Sequence, residues 1–169
     1  YILKDPYKAS ASGTIPVAAL TGEKTDESMD VMVKLDHAGL DILTFVTPLI
    51  TEAQGGLNGS LQLKGTAADP QVYGTLSVDD GSLSIRTVRN PLTRITGQLQ
   101  FTGRKAAFSG SAVMDKAKAK NPGKLQVQAD ASWQGWEVTS YKGLLALDHL
   151  GVVCPYFTGP LTGNLTVSP

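Results

Sequence analysis

The sequence predicts an all-β chain, an elongated antiparallel meander in which each strand pairs with the one before it. Three observations predict this. Apolar and polar positions alternate with a period of two: Leu57, Gly59, Leu61, Leu63 and Gly65 lie on one parity, and Asn58, Ser60, Gln62 and Lys64 on the other. Such alternation makes a strand with one greasy and one wet face. Turn-forming pairs, among them Asp69-Pro70, Asp80-Gly81 and Asn90-Pro91, recur about every dozen residues. Finally, 169 residues with 18 Gly, 9 Pro, 7% aromatics and 18% charged residues suit a turn-rich β protein better than a helical one.

Residues 1–20 carry one or two strands. Ile15 and Val17 share a face around Pro16, whose missing N–H points to an edge strand. Residues 21–28 read as a polar connection. Met29, Val31, Val33 and Leu35 then alternate with Asp30, Met32, Lys34 and Asp36 as a strand, and His37 reads as a strand-end residue at a solvated turn. Residues 38–53 break the alternation. Leu40, Leu43, Val46 and Leu49 lie three apart, which predicts one short helix with a broad apolar stripe, covering the open end of a sheet. Asp36 or Asp41 is positioned to cap it, and Pro48 and Gly55-Gly56 to end it.

The clearest pattern follows, over residues 55–101. Residues 57–64 form a strand, residues 65–71 a turn, and Val72, Gly74, Leu76 and Val78 the next strand. Asp80-Gly81 reads as a hairpin turn. Leu83 and Ile85, then Ile95, Gly97, Leu99 and Phe101, continue the meander, and Phe108, Gly110, Ala112 and Met114 extend it. Residues 115–124 hold four lysines, read as a solvated loop or a charge-protected edge, or as attraction to anionic headgroups. Leu125, Val127, Ala129, Ala131 and Trp133 form another strand. Trp133 and Trp136 read as core or sheet-end packing rather than as a ligand platform. Residues 142–150 carry a strand-like or short helical run.

The rest of the composition excludes classes of function. Formal net charge is zero, against a nucleic-acid partner. No run reaches the ~20 apolar residues of a membrane span. The lone Cys154 reads as a small buried hydrophobe, with no cationic neighbour to activate it. Nucleophile elbow, phosphate loop, zinc-protease and C-x-x-C motifs are all missing, and the only imidazoles are His37 and His149. Asp148 and His149 are expected to point to opposite faces of a strand. The expectation is a protein that is not an enzyme, with no catalytic residue, metal or cofactor.

Leu57-Asn58-Gly59-Ser60-Leu61-Gln62-Leu63 is echoed at Leu161-Thr162-Gly163-Asn164-Leu165-Thr166-Val167. A motif that restarts at the end of the chain behaves like part of an array. Residues 1–169 therefore read as one β-rich segment excised from a longer repetitive protein, with a further repeat beginning near 159.

Leu40-Asp41-Ile42-Leu43, Pro48-Leu49, Gly56-Leu57-x-Gly59-x-Leu61-x-Leu63-x-Gly65-Thr66, Pro70-x-Val72-x-Gly74-x-Leu76-x-Val78-x-Asp80-Gly81 and Ile95-Thr96-Gly97-Gln98-Leu99-Gln100-Phe101, in that order, resemble the C-terminal conserved region of the TamB family. That family belongs to the AsmA-like group of bacterial envelope proteins, and the clear resemblance covers about residues 36–103. It implies a sheet curled lengthwise into an open, taco-like trough with a hydrophobic interior. It implies a periplasmic setting, with an inner-membrane anchor in a segment N-terminal to this chain. It further implies a TamA-like outer-membrane partner of the Omp85 class, outer-membrane protein clients, and a role in moving phospholipid between the membranes.

Part of this follows from physics alone. A meander with one aliphatic face must bury that face, and small residues on the apolar parity (Gly59, Gly74, Gly97, Gly110, Ala112) permit strong curvature. The candidate groove lining is Val31, Val33 and Leu35; Leu61 and Leu63; Leu76, Val78, Leu83 and Ile85; Leu99 and Phe101; and Val127. The groove would hold phospholipid acyl chains. The competing expectations are a chaperone-like scaffold that adds outer-membrane β-strands to a sheet edge, and a plain structural β-sandwich or adhesin module. The isolated piece is also expected to dimerise through an exposed sheet edge or its groove.

Overall fold

A computed structural model describes residues 8–16, 27–42, 44, 47–114 and 122–169. It contains nine strands: β1 (Lys8–Thr14), β2 (Ser28–Gly39), β3 (Ile50–Thr66), β4 (Pro70–Ile85), β5 (Leu92–Gly103), β6 (Lys105–Met114), β7 (Gly123–Gln134), β8 (Glu137–Cys154) and β9 (Phe157–Val167). They form a single antiparallel sheet in sequence order, β1 to β9, with no crossover. The fold is the expected all-β meander. Eight inter-strand steps of about 4.8 Å make the sheet about 38 Å wide along its stacking direction.

The strands do not run straight. Pairing shifts between Leu35 and Ala38 on β2, Val78 and Gly81 on β4, Thr93 and Thr96 on β5, and Leu147 and Leu150 on β8. Each shift carries a residue with positive φ: His37 (53°), Asp80 (55°), Arg94 (49°) and His149 (52°). These are β-bulges, and a bulge bends its strand and adds twist. Polar residues therefore share the bending that the sequence reading assigned to glycines alone.

The bulges overturn three expectations and explain a fourth reading. Asp80-Gly81 is not a hairpin turn. β4 runs through it, because Leu83 and Ile85 pair with Ala53 and Ile50 of β3, and a turn at Asp80 would forfeit that ladder. His37 lies inside β2 rather than at its end. Asp148 and His149 do not point apart: the bulge brings the His149 Nδ1 onto Asp148 Oδ1. Of the two readings of residues 142–150 the strand holds, and the uneven spacing of Leu147 and Leu150 is the bulge between them. Both side chains are buried.

The helix expected over 38–53 is much shorter. A 3-10 turn covers Leu40–Ile42 and Thr44 is helical, whereas residues 38–39 belong to β2 and residues 50–53 to β3. Leu43, Phe45 and Val46 lie outside the described residues. Pairing with the neighbouring strands claims both flanks, which local apolar spacing does not reveal. Leu40 still does part of the covering work: it is buried, and its Cδ1 fills the space beside Gly55 of β3 and Gly81 of β4. The first strand ends at Thr14, short of Ile15 and Pro16, while Val17 lies outside the described residues. So do residues 18–20, residues 21–26 of the polar connection, residues 115–121 of the lysine-rich loop and the side chain of Cys154.

The core is at one end of the sheet. Leu92, Ala112, Met114, Leu147 and Leu150 are buried together, flanked by Ile85, Val88, Ile95, Leu125, Val152 and Leu161. The β4–β5 loop closes over this end. Val88 bridges Val152 of β8, the Arg89 N–H donates to Gly151 O and the Val153 N–H to Thr87 O, both at 2.9 Å. β4 and β8 are four strands apart in the sheet, so these contacts require it to curl.

Candidate functional site

Directly paired residues on adjacent strands point to the same face, so the register defines the apolar surface. One row runs Leu35–Gly59–Leu76–Leu99–Phe108–Ala129–Gly143–Val167 across eight strands. The next runs Ala38–Leu57–Val78–Gly97–Gly110–Val127–Leu145–Leu165. Val33 and Leu61 lead to Gly74 and Phe101, Val31 pairs with Leu63, and Leu83 and Ile85 join at the core end. The structure thus places all twelve candidate lining residues on one face. The bulges make this possible for Leu83 and Ile85, because the extra residue at Asp80 restores their parity. The candidate lining left out Leu57, Val72, Phe108, Leu125 and Leu145, which share this face, although the alternation of the first four was read in the sequence.

All twelve candidates are half-buried, in contrast to the sealed core at one end. The opposite face carries Gln62, Lys64, Gln98, Gln100, Gln126 and Gln128. A shallow recess of ≈ 310 Å³ opens at the β9 side, bordered by Leu99, Phe108, Ala129, Tyr141 and Val167 among others.

The end opposite the core is pinned by tryptophans. Trp136 of the β7–β8 turn donates from Nε1 to Ala67 O of the β3–β4 turn at 2.8 Å, and Trp133 Nε1 reaches Pro70 O at 3.4 Å. The Trp133 N–H donates to Arg104 O at 3.1 Å in the β5–β6 turn. Phe101 meets Trp133 edge to face at 6.2 Å between centroids, a favoured aromatic geometry. Arg104 forks onto Asp69, with Nε donating to Oδ1 at 2.9 Å and the second guanidinium nitrogen to Oδ2. That hydrogen bond, helped by the Arg104 charge and the Gly135 backbone, holds the Asp69 carboxyl below its ordinary value. Three hairpin turns converge here; Trp133 packs the sheet end as expected, whereas Trp136 is 74% exposed and is held there by its indole N–H rather than by packing.

The titratable groups are spread along the outside. His37 and Asp36, like His149 and Asp148, are exposed pairs within a bulge. Among the described residues no three His, Cys, Asp or Glu side chains gather as a metal cluster, and no helix is long and apolar enough to cross a membrane. What the arrangement can do chemically is hold something apolar along a curved, half-open surface.

The model of the family described as the TamB C-terminal domain matches residues 3–168, nearly the whole chain and well beyond residues 36–103. No curated protein and no solved structure matched the chain.

Proposed function

The chain belongs to the TamB C-terminal domain family, cell-envelope proteins that work with a TamA-like partner, and on that premise we propose that its apolar trough binds phospholipid acyl chains. The trough would serve phospholipid transport between inner and outer membranes, and with it outer-membrane protein assembly, in the periplasm. A TamA-like protein of the Omp85 class would be the outer-membrane partner, with an inner-membrane anchor on the far side.

The observation that carries this reading is the incomplete burial of a face that is apolar in every strand from β2 to β9. Apolar surface left in water costs about 25 cal/mol per Å², so such a face favours an occupant. Its width of about 38 Å exceeds one leaflet of a hydrocarbon core, about 15 Å, so an acyl chain fits along it. The test is native mass spectrometry of the chain purified from membrane-containing lysate. Bound phospholipid is expected, and its loss in a folded Leu99→Asp variant. A lipid-free wild-type chain, or equal lipid on Leu99→Asp, contradicts the reading.

A second reading, templating of outer-membrane strands by strand addition, is favoured by the open edge of β9. The β-sandwich alternative needs two facing sheets, whereas the described residues form one.

A further inference from the structure

The curl of the sheet is tied at both ends, each time across the strands from β4 to β8. At the core end the β4–β5 loop meets β8 through the Val88–Val152 bridge and two backbone hydrogen bonds. At the other end the β3–β4 turn meets the β7–β8 turn. Trp136 Nε1 donates to Ala67 O at 2.8 Å, and Trp133 Nε1 reaches Pro70 O at the head of β4. In a flat sheet those two turns would stand four strand spacings apart, about 19 Å. Between the two ties the apolar face of these strands is turned inward.

The ties are built differently. At the core end Leu92, Met114, Leu147 and Leu150 are buried together, and opening it would put all four in water. The Trp136 end has no such packing. The Phe101–Trp133 pair is only half-buried, and the Arg104 and Asp69 side chains stay 47% and 40% exposed in their ion pair. Exposed hydrogen bonds exchange for water at little net cost, and surface ion pairs contribute little. The strand ladder does not resist either. Ala67, Asp69, Arg104 and Trp136 lie in turns, so the sheet can uncurl there with its inter-strand bonds kept. The end with the fewest buried contacts opens first.

We propose that Trp136 and Arg104 form a latch on the trough, released to let an acyl chain into the curl of β4 to β8 and closed to retain it, with the Val88–Val152 end as its hinge. Release swings the β3–β4 turn away from the β7–β8 turn and widens the trough from one side. The inner faces of Leu76, Leu99, Phe108 and Ala129, one row in from Phe101 and Trp133, are then uncovered. Closure returns the Trp136 indole to Ala67 O and the Arg104 fork to Asp69. The acyl chain as occupant rests on the lipid reading. The latch itself rests on the contrast between the two ties.

Two measurements on the 169-residue chain, in a Cys154→Ser background, test it. In the first, spin labels at Ala68→Cys and Glu137→Cys span the latch, and labels at Arg89→Cys and Val153→Cys span the hinge. Combining Trp136→Ala with Arg104→Gln lengthens the latch distance, by up to about 15 Å toward the flat spacing, and leaves the hinge distance unchanged. Distances that lengthen alike at both ends, or at neither, overturn the proposal. In the second, Ala68→Cys and Gly135→Cys are joined by a reducible bis-methanethiosulfonate, since a Cβ on Gly135 would lie 3.1 Å from Ala68 O. The vesicles are phosphatidylethanolamine and phosphatidylglycerol carrying an acyl-labelled fluorescent phosphatidylethanolamine. Joined before mixing, the chain takes up label about tenfold more slowly; joined after loading, it releases label about tenfold more slowly; reduction restores both rates. A joined chain that loads and unloads as fast as its reduced form overturns the proposal. A reduced chain that takes up no label defeats the lipid reading instead, and the spin-label distances then decide the latch by themselves.

Discussion

Met114→Ala separates the part of this sheet that holds it together from the part that is left open. Met114 has no exposed surface. Its Cε fills the gap left by two glycines: a Cβ on Gly123 of β7 would sit 2.9 Å from it, and one on Gly151 of β8 3.3 Å. The substitution removes three heavy atoms beyond Cβ. At about 0.8 kcal/mol each the transfer loss is about 2.4 kcal/mol. The glycine backbones cannot move in to fill the space, so a cavity term of about 1 kcal/mol is added, and the expected loss is about 3–4 kcal/mol. Leu99→Ala on the trough face starts from a half-buried side chain and should cost about 1 kcal/mol. Urea unfolding followed by far-UV circular dichroism measures both. The midpoint should fall several-fold further for Met114→Ala, with equal slopes for both variants. Equal losses would refute the reasoning, because they would mean that the trough face is packed as tightly as the core end.

Three further outcomes are expected. His37→Val puts a β-branched side chain at φ 53° and should cost about 1–2 kcal/mol, whereas His37→Gly should cost less than about 0.5 kcal/mol; urea midpoints of the two variants decide. Removing the Trp136 indole in Trp136→Ala frees Ala67 O and should speed hydrogen exchange at residues 66–69 while leaving the Val88–Val152 end protected, as read by exchange mass spectrometry. The Asp69 carboxyl, held below its ordinary 3.8 by Arg104, gives stability that is present above about pH 4 and lost as pH falls through the folded value; an acid titration should show that component vanish in Arg104→Gln.

Much of the sheet was legible in the sequence because burial is one-sided. Residues 57–65 of β3, residues 95–103 of β5 and the whole of β7 alternate without interruption, and the turns at Asp69-Pro70 and Gly135 announce themselves. The bulges were not legible. Asp80-Gly81 carries the strongest local signal for a hairpin, and only its partners on β3 and β5 make it a bend within a strand. The same is true of His37 and His149, whose left-handed backbone is set by neighbouring strands rather than by adjacent residues. Leu40, Leu43, Val46 and Leu49 satisfy helical spacing, yet β2 and β3 claim both flanks. Within each unbroken stretch the apolar parity was legible, but Leu83 and Ile85 share the face of Val78 only through the bulge at Asp80. The pinned ends were not legible, since Trp136 and Ala67, or Val88 and Val152, are more than 60 positions apart in sequence.

The central claim is that one face of the sheet, and not the other, meets lipid. Photo-crosslinking tests it most directly, with p-benzoylphenylalanine placed at Leu99 on the apolar face and at Gln98 or Gln100 on the polar one, in cells with radiolabelled phospholipid. Labelled adducts at Leu99 and none at Gln98 or Gln100 are the predicted result. Adducts at none of the three, or at all three alike, would contradict the account.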